Sequence, residues 1–341
     1  MSVNVKNTEL LSEDTKSKEM TIMRCVNVTI LGDKDFVAKL GKKGTVSDIA
    51  MYNFKDSKYA FTFVYPEKYP ERIQPLCQSL NMADAAVLVV SKIDRQLGET
   101  IVALDSLGVK QGFIVLQGSE IIPEQLAPIV KGTVLENYKF LEGAPGKIME
   151  TLAALLPERN DLPAKVPIDH FFSVKGVGTV VLGVVKRGKI NVHDEPVVYP
   201  TGKKVFVRSI QIHDADVQQG EVGDRVGLAL KGMEADELER GFVIAPDGSM
   251  QAGQDFKAQF HVSKYWREGV KKGERVQVGI GLQVKSATIA EIEGRESMKA
   301  GESATITVKT DAPAAFEKGE PIIVIRADAK DLRVVGGGKI L

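Results

Sequence analysis

The sequence predicts an α/β domain with a parallel sheet, followed by two antiparallel β-barrels. Residues 24–157 alternate short apolar runs with stretches of helical periodicity, which is the pattern of a parallel sheet covered by helices. Residues 165–250 and 254–341 instead contain short β runs separated by glycine-containing turns, as antiparallel barrels do. The chain of 341 residues has 32 glycines and only 6% aromatic residues, which agrees with many tight turns.

The first domain is predicted from apolar runs that are followed by helical segments. One run, Ala85–Val90, is continuously apolar, as expected of a strand buried on both faces of a parallel sheet. Helices are predicted at residues 100–107 and 146–156, and the second of these stops before Pro157. The predicted strands of this domain are 26–31, 60–64, 85–90 and 113–116.

Polar segments divide the chain. Residues 1–23 are predicted to be a polar N-terminal arm, and residues 158–164 an interdomain linker, because both are rich in polar residues and the second contains Pro163. The predicted β runs of the second domain are 171–173, 179–185, 197–199, 205–212, 226–230 and 242–245. Those of the third domain are 257–262, 275–280, 285–293, 303–309 and 321–325.

Charge and composition exclude several classes of protein. Lys plus Arg and Asp plus Glu number 45 each, so the net charge is zero and does not favour a protein that grips nucleic acid by its phosphates. No DNA partner is expected. Two cysteines argue against a disulfide scaffold and fit a reducing cytoplasm. No apolar run reaches about 18 residues, so no membrane association is expected. The 4 histidines lack the spacing of metal ligands, and no metal site is predicted.

A long motif lies at the start of the second domain. Residues 167–183 match P-[IL]-x-x-x-F-x-[IV]-x-G-x-G-T-V-V-x-G at every specified position, and residues 186–188, 223–232 and 239–244 continue the pattern in order. This sequence resembles domain 2 of the translational GTPase superfamily, to which elongation factor Tu belongs. The resemblance implies a G-domain-like α/β unit followed by two β-barrels.

Within that superfamily the chain is most similar to the selenocysteine-specific elongation factors, especially the archaeal ones. The similarity rests on Asp169 and His170, on Arg240 followed by glycine, and on residues 207–211 and 332–333. In that family the corresponding Asp, His and Arg of domain 2 line the pocket for the aminoacyl group of tRNA. The resemblance therefore makes Asp169, His170 and Arg240 candidate pocket residues. Alternatively, Arg240 is a solvated loop residue and Asp169 forms a turn.

A second candidate contact with RNA lies in the third domain. Lys264 and Arg267 flank Tyr265 and Trp266, so cations could contact phosphates while an aromatic ring stacks on a base. The alternative is that Trp266 is an interface or core aromatic. Lys264 and Arg267 are accordingly candidate tRNA-binding residues.

In the family, the first domain binds GTP and Mg²⁺ through short motifs, of which G-x-x-x-x-G-K-[ST] follows the opening strand. Here the loop runs from Gly32 to Lys39 and keeps only the first glycine. Val37 stands at the second glycine, where a β-branched residue is unfavourable. Ala38 replaces the phosphate-binding lysine, and Lys39 the hydroxyl residue that binds Mg²⁺. We interpret the nearby Gly41–Thr45 as a turn, with a phosphate-binding loop as the alternative.

The remaining nucleotide motifs are also altered. In D-x-P-G-H, Tyr65 replaces the Asp associated with Mg²⁺, Lys68 the Gly that senses the γ-phosphate, and Tyr69 the His that positions water. A phenol with a pKa near 10 orients or activates water poorly. The guanine-binding [NT]-K-x-D corresponds to residues 117–120, where the lysine is missing and Glu120 is one methylene longer than Asp.

These losses predict a degenerate GTPase-like domain in residues 24–157, with no catalytic residue and with GTP and Mg²⁺ lost as cofactors. Gly32, Lys39 and Glu120 are the expected remnants of the nucleotide site. The resemblance implies a cytoplasmic elongation factor homologue that binds tRNA, the ribosome or translation factors, and the lost motifs imply that it is not an enzyme. Two alternatives stay open: an authentic GTP-binding elongation factor with atypical motifs, and a protein–protein scaffold.

Overall fold

A computed structural model of the protein describes residues 24–118, 120–142, 145–155 and 160–341. These residues form an α/β domain, a second domain of antiparallel sheet and a closed antiparallel barrel, which confirms the predicted fold class. The predicted arm at 1–23 and the first two residues of the predicted linker, 158–159, lie outside the described residues. No helix in the described part of the chain is long and apolar enough to cross a membrane.

The first domain contains one mixed sheet. Its strands are β1 (Arg24–Leu31), β2 (Lys42–Val46), β3 (Ala50–Lys55), β4 (Tyr59–Tyr65), β5 (Ala85–Val90), β6 (Gly112–Leu116) and β7 (Lys139–Phe140). They lie in the order β2-β3-β4-β1-β5-β6-β7. Strands β4, β1, β5, β6 and β7 run parallel, and β3 and β2 extend the sheet in antiparallel fashion. The carboxyl ends of β1, β4 and β5 therefore meet at one edge.

The interpretation of Gly41–Thr45 as a turn is wrong, because most of this segment belongs to the edge strand β2. All five residues of β2 are exposed, so the strand has no apolar alternation by which the sequence could reveal it.

Helices cover both faces of this sheet. They are α1 (Lys34–Leu40), α2 (Gln74–Met82), α3 (Arg95–Ser106), α4 (Pro123–Val130) and α5 (Pro145–Leu152), with a 3-10 turn at Val134–Asn137. Helices α1 and α5 pack on one face and α2, α3 and α4 on the other. Helix α3 begins earlier than the predicted residue 100, because the Asp94 carboxylate caps it by accepting from the Leu97 amide at 3.0 Å.

The second domain is an antiparallel sheet curved around one core. Its strands are β8 (Val166–Val174), β9 (Gly178–Val184), β10 (Lys189–Asn191), β11 (Val197–Tyr199), β12 (Lys203–Lys204), β13 (Phe206–Ile212), β14 (Ala215–Val217), β15 (Gln219–Glu221), β16 (Arg225–Lys231) and β17 (Val243–Ala245), with a 3-10 turn at Ala235–Glu237. Eight of them follow the order β12-β11-β17-β8-β9-β16-β13-β14, and β10 pairs with β15. Glycines at 176 and 178, with φ of +83° and +95°, make the β8–β9 hairpin possible.

The third domain is a closed barrel. Its strands are β18 (Gln251–Val262), β19 (Val270–Lys271), β20 (Arg275–Ile280), β21 (Gln283–Ile292), β22 (Ser297–Met298), β23 (Ser303–Phe316), β24 (Pro321–Ile325) and β25 (Val334–Ile340). The barrel order is β18-β23-β21-β20-β24-β25, and β25 pairs with β18 to close it. The alternating apolar residues of these strands fill the barrel interior.

The three domains pack together at a shared apolar junction. Ile49, Met51 and Met82 of the first domain form one buried cluster with Val184 of the second and Leu282 of the third. Polar contacts and ion pairs also connect each pair of domains, so both apolar and charged groups hold the domains in place.

Candidate functional site

The first candidate site lies at the carboxyl ends of β1 and β4. Gly32 follows β1 with φ of +95°, and a Cβ on it would lie 2.0 Å from the Val89 carbonyl oxygen, so only glycine fits. Helix α1 begins two residues later. Its N-cap is Asp33, whose carboxylate accepts from the Asp35 amide at 2.8 Å.

The start of α1 is surrounded by carboxylates. Asp33 and Asp35 lie in its first turn, and Glu67, after β4, forms an ion pair with Lys34. Burial, followed by the negative charges of Glu67 and Asp33, raises the pKa of Tyr65 to about 12. The electrostatic environment at this helix N-terminus is therefore unfavourable to a further anion.

Two later positions of this loop, Val37 and Lys39, lie away from the strand ends. Val37 is fully buried in the core between α1 and the sheet. Lys39 is exposed in the last turn of α1, so it lies at the opposite end of the helix from Gly32. Of the predicted nucleotide remnants, Gly32 is thus at the strand end and Lys39 is not.

Two tyrosines line the remaining space. Tyr69 donates from its hydroxyl to the Gln96 carbonyl oxygen at 3.0 Å, and burial, followed by the charge of Glu99, raises its pKa. The cleft bounded by Gly32, Tyr65 and Tyr69 measures about 120 Å³. Pockets for drug-sized ligands are typically about 300–1,000 Å³. The third remnant, Glu120, is exposed on the loop after β6.

The second candidate site joins the first and second domains. Asp169, only 1% exposed, accepts from Arg225 Nη2 at 2.6 Å, and His170 Nδ1 lies 2.5 Å from the same Oδ1 atom. The imidazole Nε2 lies 3.1 Å from Ser47 Oγ in the turn between β2 and β3. Arg225 belongs to the domain 2 pattern, but that pattern does not predict its contact with Asp169.

Arg240 completes this cluster. Its Nε donates to the Asp169 carbonyl oxygen at 3.0 Å, Nη1 to Asp48 Oδ1 at 2.5 Å and to Gln78 Oε1 at 3.3 Å, and Nη2 to Ser47 Oγ at 3.1 Å. Burial alone would raise the pKa of Asp48, but the hydrogen bond and charge of Arg240 hold it below its usual value. The structure thus brings the three predicted pocket residues together, with the turn of residues 47–49 packed against them.

The predicted RNA contacts of the third domain form a separate cluster where that domain meets the first. Lys264 Nζ donates to the Lys131 carbonyl oxygen at 2.6 Å, and Tyr265 to the Ile129 carbonyl oxygen at 2.9 Å. Trp266 is buried, with its indole nitrogen donating to Gly269 at 2.6 Å. It is therefore a core aromatic, and stacking of Trp266 on RNA is not possible in this structure.

Arg267 is exposed and lines a groove together with Tyr265 and Trp266. The groove, about 470 Å³ in volume, runs between α3 and the third domain, and Arg95 contributes a second cation to it. Both guanidinium groups are thus placed at the surface of the domain junction, while Lys264 is used in holding the domains together.

Comparisons with known proteins bear on this architecture. Residues 178–245 match the model of elongation factor Tu domain 2. A protein of Methanocaldococcus jannaschii described as uncharacterized is 37% identical over 320 residues, covering 93% of this chain and 100% of that protein. The selenocysteine-specific elongation factor of the same organism is 28% identical over 337 residues, covering 88% of this chain and 72% of that factor. The chain belongs to the translational GTPase superfamily, close to the selenocysteine-specific factors.

A solved structure of this superfamily shows the same fold. Translation elongation factor SelB from Methanococcus maripaludis, in complex with the GTP analogue GppNHp, superposes with a TM-score of 0.79 at 24% identity. The match covers 93% of this chain and 79% of that one, so it includes all three domains. The resemblance inferred from the domain 2 pattern is therefore confirmed.

The sequence pattern alone does not reveal which groups surround Arg240. Ser47, Asp48 and Gln78 come from the first domain and approach Arg240 only through folding. No short motif connects them, because the residues are 162–193 positions apart in the chain. Arg225, in contrast, lies within residues 223–232 of the domain 2 pattern, and a buried aspartate such as Asp169 needs a cationic partner of this kind.

Proposed function

We propose that the protein is a translation factor relative that binds tRNA, the ribosome or another translation component in the cytoplasm without a nucleotide cycle of its own. Two of the proteins named above are elongation factors, and one of these was solved with a GTP analogue. In this protein the β domains would keep the ability to bind a translation component, and the first domain would lack the GTP switch.

The observation that carries this proposal is the start of α1. A helix N-terminus after a glycine-rich loop binds phosphate because free amides and the helix dipole point at the anion. Here the Asp33 carboxylate already occupies one of the free amides, that of Asp35, and the side chain of Asp35 adds a second negative charge. A triphosphate would have to displace one carboxylate and lie beside another.

The rest of the site fits GTP and Mg²⁺ equally poorly. The hydroxyl and carboxylate that would hold the metal are replaced by Lys39 and Tyr65, and the lysine position is Ala38. Tyr69 donates its hydroxyl proton to the Gln96 carbonyl oxygen, and burial raises its pKa, so it stays a neutral phenol and is a poor general base for water. We therefore derive no hydrolysis step and propose that the protein is not an enzyme.

Retention of binding is supported by the second domain. Residues 178–245 match the domain 2 model, and Asp169, His170 and Arg240 converge as the resemblance implies. Arg267 in the third domain is exposed and could make sequence-independent phosphate contacts, which the carboxylates of Glu268 and Asp331 in the same groove would weaken. Because the whole chain is neutral, we expect tRNA binding to be weak. Because it would depend on phosphate contacts, we expect it to be sensitive to salt.

Two titrations of the same purified protein test the proposal. Calorimetry with GTP and Mg²⁺ should give no dissociation constant below about 10 μM, equivalent to about −7 kcal/mol. Filter binding with charged and uncharged tRNA should detect complexes at low salt that weaken at moderate salt. Tight GTP binding would favour an authentic GTP-binding factor, and absence of tRNA binding at low salt would favour a protein–protein scaffold.

A further inference from the structure

The turn between β2 and β3 occupies the cluster where a tRNA-bound group is proposed to bind. We propose that residues 47–49 act as an internal ligand, so that an anionic or carboxylate-bearing group reaches Arg240 only by displacing Asp48. This inference rests on the proposed function for its physiological ligand. The occupation of Arg240 by a carboxylate of the same chain does not depend on whether tRNA binds.

The turn makes the contacts with Arg240 and His170 that a bound carboxylate ligand would make. Asp48 forms a charge-assisted hydrogen bond with Arg240 Nη1 at 2.5 Å, the kind of bond by which arginine recognises carboxylates. Ser47 Oγ lies 3.1 Å from both Arg240 Nη2 and His170 Nε2. One hydroxyl and one carboxylate from the first domain thus engage two pocket residues at once.

The pocket also has polar capacity that the turn does not use. Asp169 Oδ2 and Arg225 Nε are buried and have no hydrogen-bond partner among the described residues. Asp169 is 1% exposed, and a buried, unpaired polar atom is costly unless water or a ligand satisfies it. Arg225 contacts Asp169, and Asp169 accepts from Arg240 through its carbonyl oxygen, so these atoms belong to the same cluster. A ligand with an acceptor for Arg225 Nε and a donor for Asp169 Oδ2 could therefore satisfy more of the site than Asp48 does.

The turn is accessible from one side and anchored on the other. The side chains of Arg240 and Asp48 are 21% and 19% exposed, so solvent and solutes reach the ion pair. Ile49 is buried in the junction of the three domains, and the Asp48 carbonyl oxygen accepts from the Lys68 amide at 3.0 Å. Lys68 follows β4 in the segment that lines the tyrosine cleft, so this hydrogen bond anchors the backbone of the turn to that segment.

The experiment compares wild type with Asp48→Ala and Asp48→Asn, using two probes. Filter binding of charged tRNA should be about tenfold tighter for Asp48→Ala and less improved for Asp48→Asn, which keeps the size of the side chain. Sodium acetate, followed through the side-chain Nε–H signal of Arg240 in nitrogen-15 NMR, should shift that signal in Asp48→Ala and leave wild type unchanged.

The matched control is Asp84→Ala. Asp84 pairs with Lys186 at 3.0 Å, so it also joins the first and second domains, but outside the pocket. Equal tightening in Asp84→Ala and Asp48→Ala would mean that loosening the domains is sufficient, and would overturn the inference. Unchanged or weaker tRNA binding in Asp48→Ala together with no acetate response would also overturn it. Acetate binding by Asp48→Ala without tRNA binding by any protein would support the internal ligand and refute the proposed tRNA function.

Discussion

Arg240 shows how much of a site can depend on contacts that are remote in sequence. The resemblance to the selenocysteine-specific factors nominated the residue, and the structure places it beside Asp169 and His170. Its charged partner Asp48 is 192 positions away and belongs to another domain. Asp48 reaches Arg240 only because the two domains pack together. No local pattern in the sequence indicates that packing.

The ion pair of Asp48 makes stability depend on pH. The pKa of Asp48 is lowered in the folded protein, so the pair stabilises the folded state above the unfolded pKa of about 3.9. That stabilisation is lost as pH falls through the lower folded-state pKa. We expect wild type to exceed Asp48→Asn in free energy of unfolding near neutral pH, with the difference disappearing in strong acid. Urea denaturation across a pH series measures this, and a constant difference would contradict it.

Replacing Arg240 should affect both stability and recognition. Arg240→Ala leaves the Asp48 carboxylate partly buried without its partner, which should cost about 1–3 kcal/mol in the free energy of unfolding. It should also reduce any preference for charged over uncharged tRNA. Arg208→Ala is the control, because Arg208 is an exposed arginine of the same domain that donates to the Val177 carbonyl oxygen. An equal loss of preference in both variants would contradict the assignment.

At the scale of elements, strands of the parallel sheet were predictable and the edge of that sheet was not. Continuous apolar runs revealed β5 and β6, because both faces of a central strand are covered. The edge strand β2 is rich in lysine and glycine and fully exposed, so it resembled a turn. From the sequence, residues 32–39 are predicted only as a degenerate phosphate-binding loop. In the structure, helix α1 begins within this segment, with Asp33 as its N-cap.

The cap of α1 gives a prediction at the same scale. Asp33→Ala removes the acceptor for the Asp35 amide and should lower the free energy of unfolding by about 1 kcal/mol. Asp33→Asn, which keeps a capping oxygen but removes the charge, should lower it by less. Thermal unfolding followed by circular dichroism compares the two variants. Equal destabilisation would show that the charge of Asp33, and not its capping hydrogen bond, stabilises the helix.

At the scale of the molecule, the first and third domains share one apolar core. Leu104 of α3 belongs to the same buried cluster as Ile323 and Val334 of the third domain. Gly337 lies so close to α3 that a Cβ there would be 2.0 Å from the Ser106 carbonyl oxygen. The sequence pattern predicted three domains but not this contact, because each domain's own periodicity says nothing about which outer face another domain covers.

A buried ion pair connects the same two domains and provides the last prediction. Arg333 donates from Nε to Glu99 Oε1 at 3.0 Å and from Nη2 to Oε2 at 2.5 Å, and Glu99 is 1% exposed. Glu99→Ala leaves the guanidinium buried without its carboxylate and should lower the free energy of unfolding by about 3–5 kcal/mol. Urea denaturation followed by fluorescence of Trp266, the protein's single tryptophan, measures the loss.

Two further variants decide whether the cost comes from the unpaired charge. Replacing both partners with apolar residues, Glu99→Leu with Arg333→Met, should recover much of the stability, because no buried charge is then left without a partner. Asp311→Asn, at the exposed pair with Arg275, should leave stability unchanged, since solvent screens such pairs. If the double variant is as unstable as Glu99→Ala, the pair itself would be required to dock the third domain on α3. Recovery would instead mean that the shared apolar core holds the domains together.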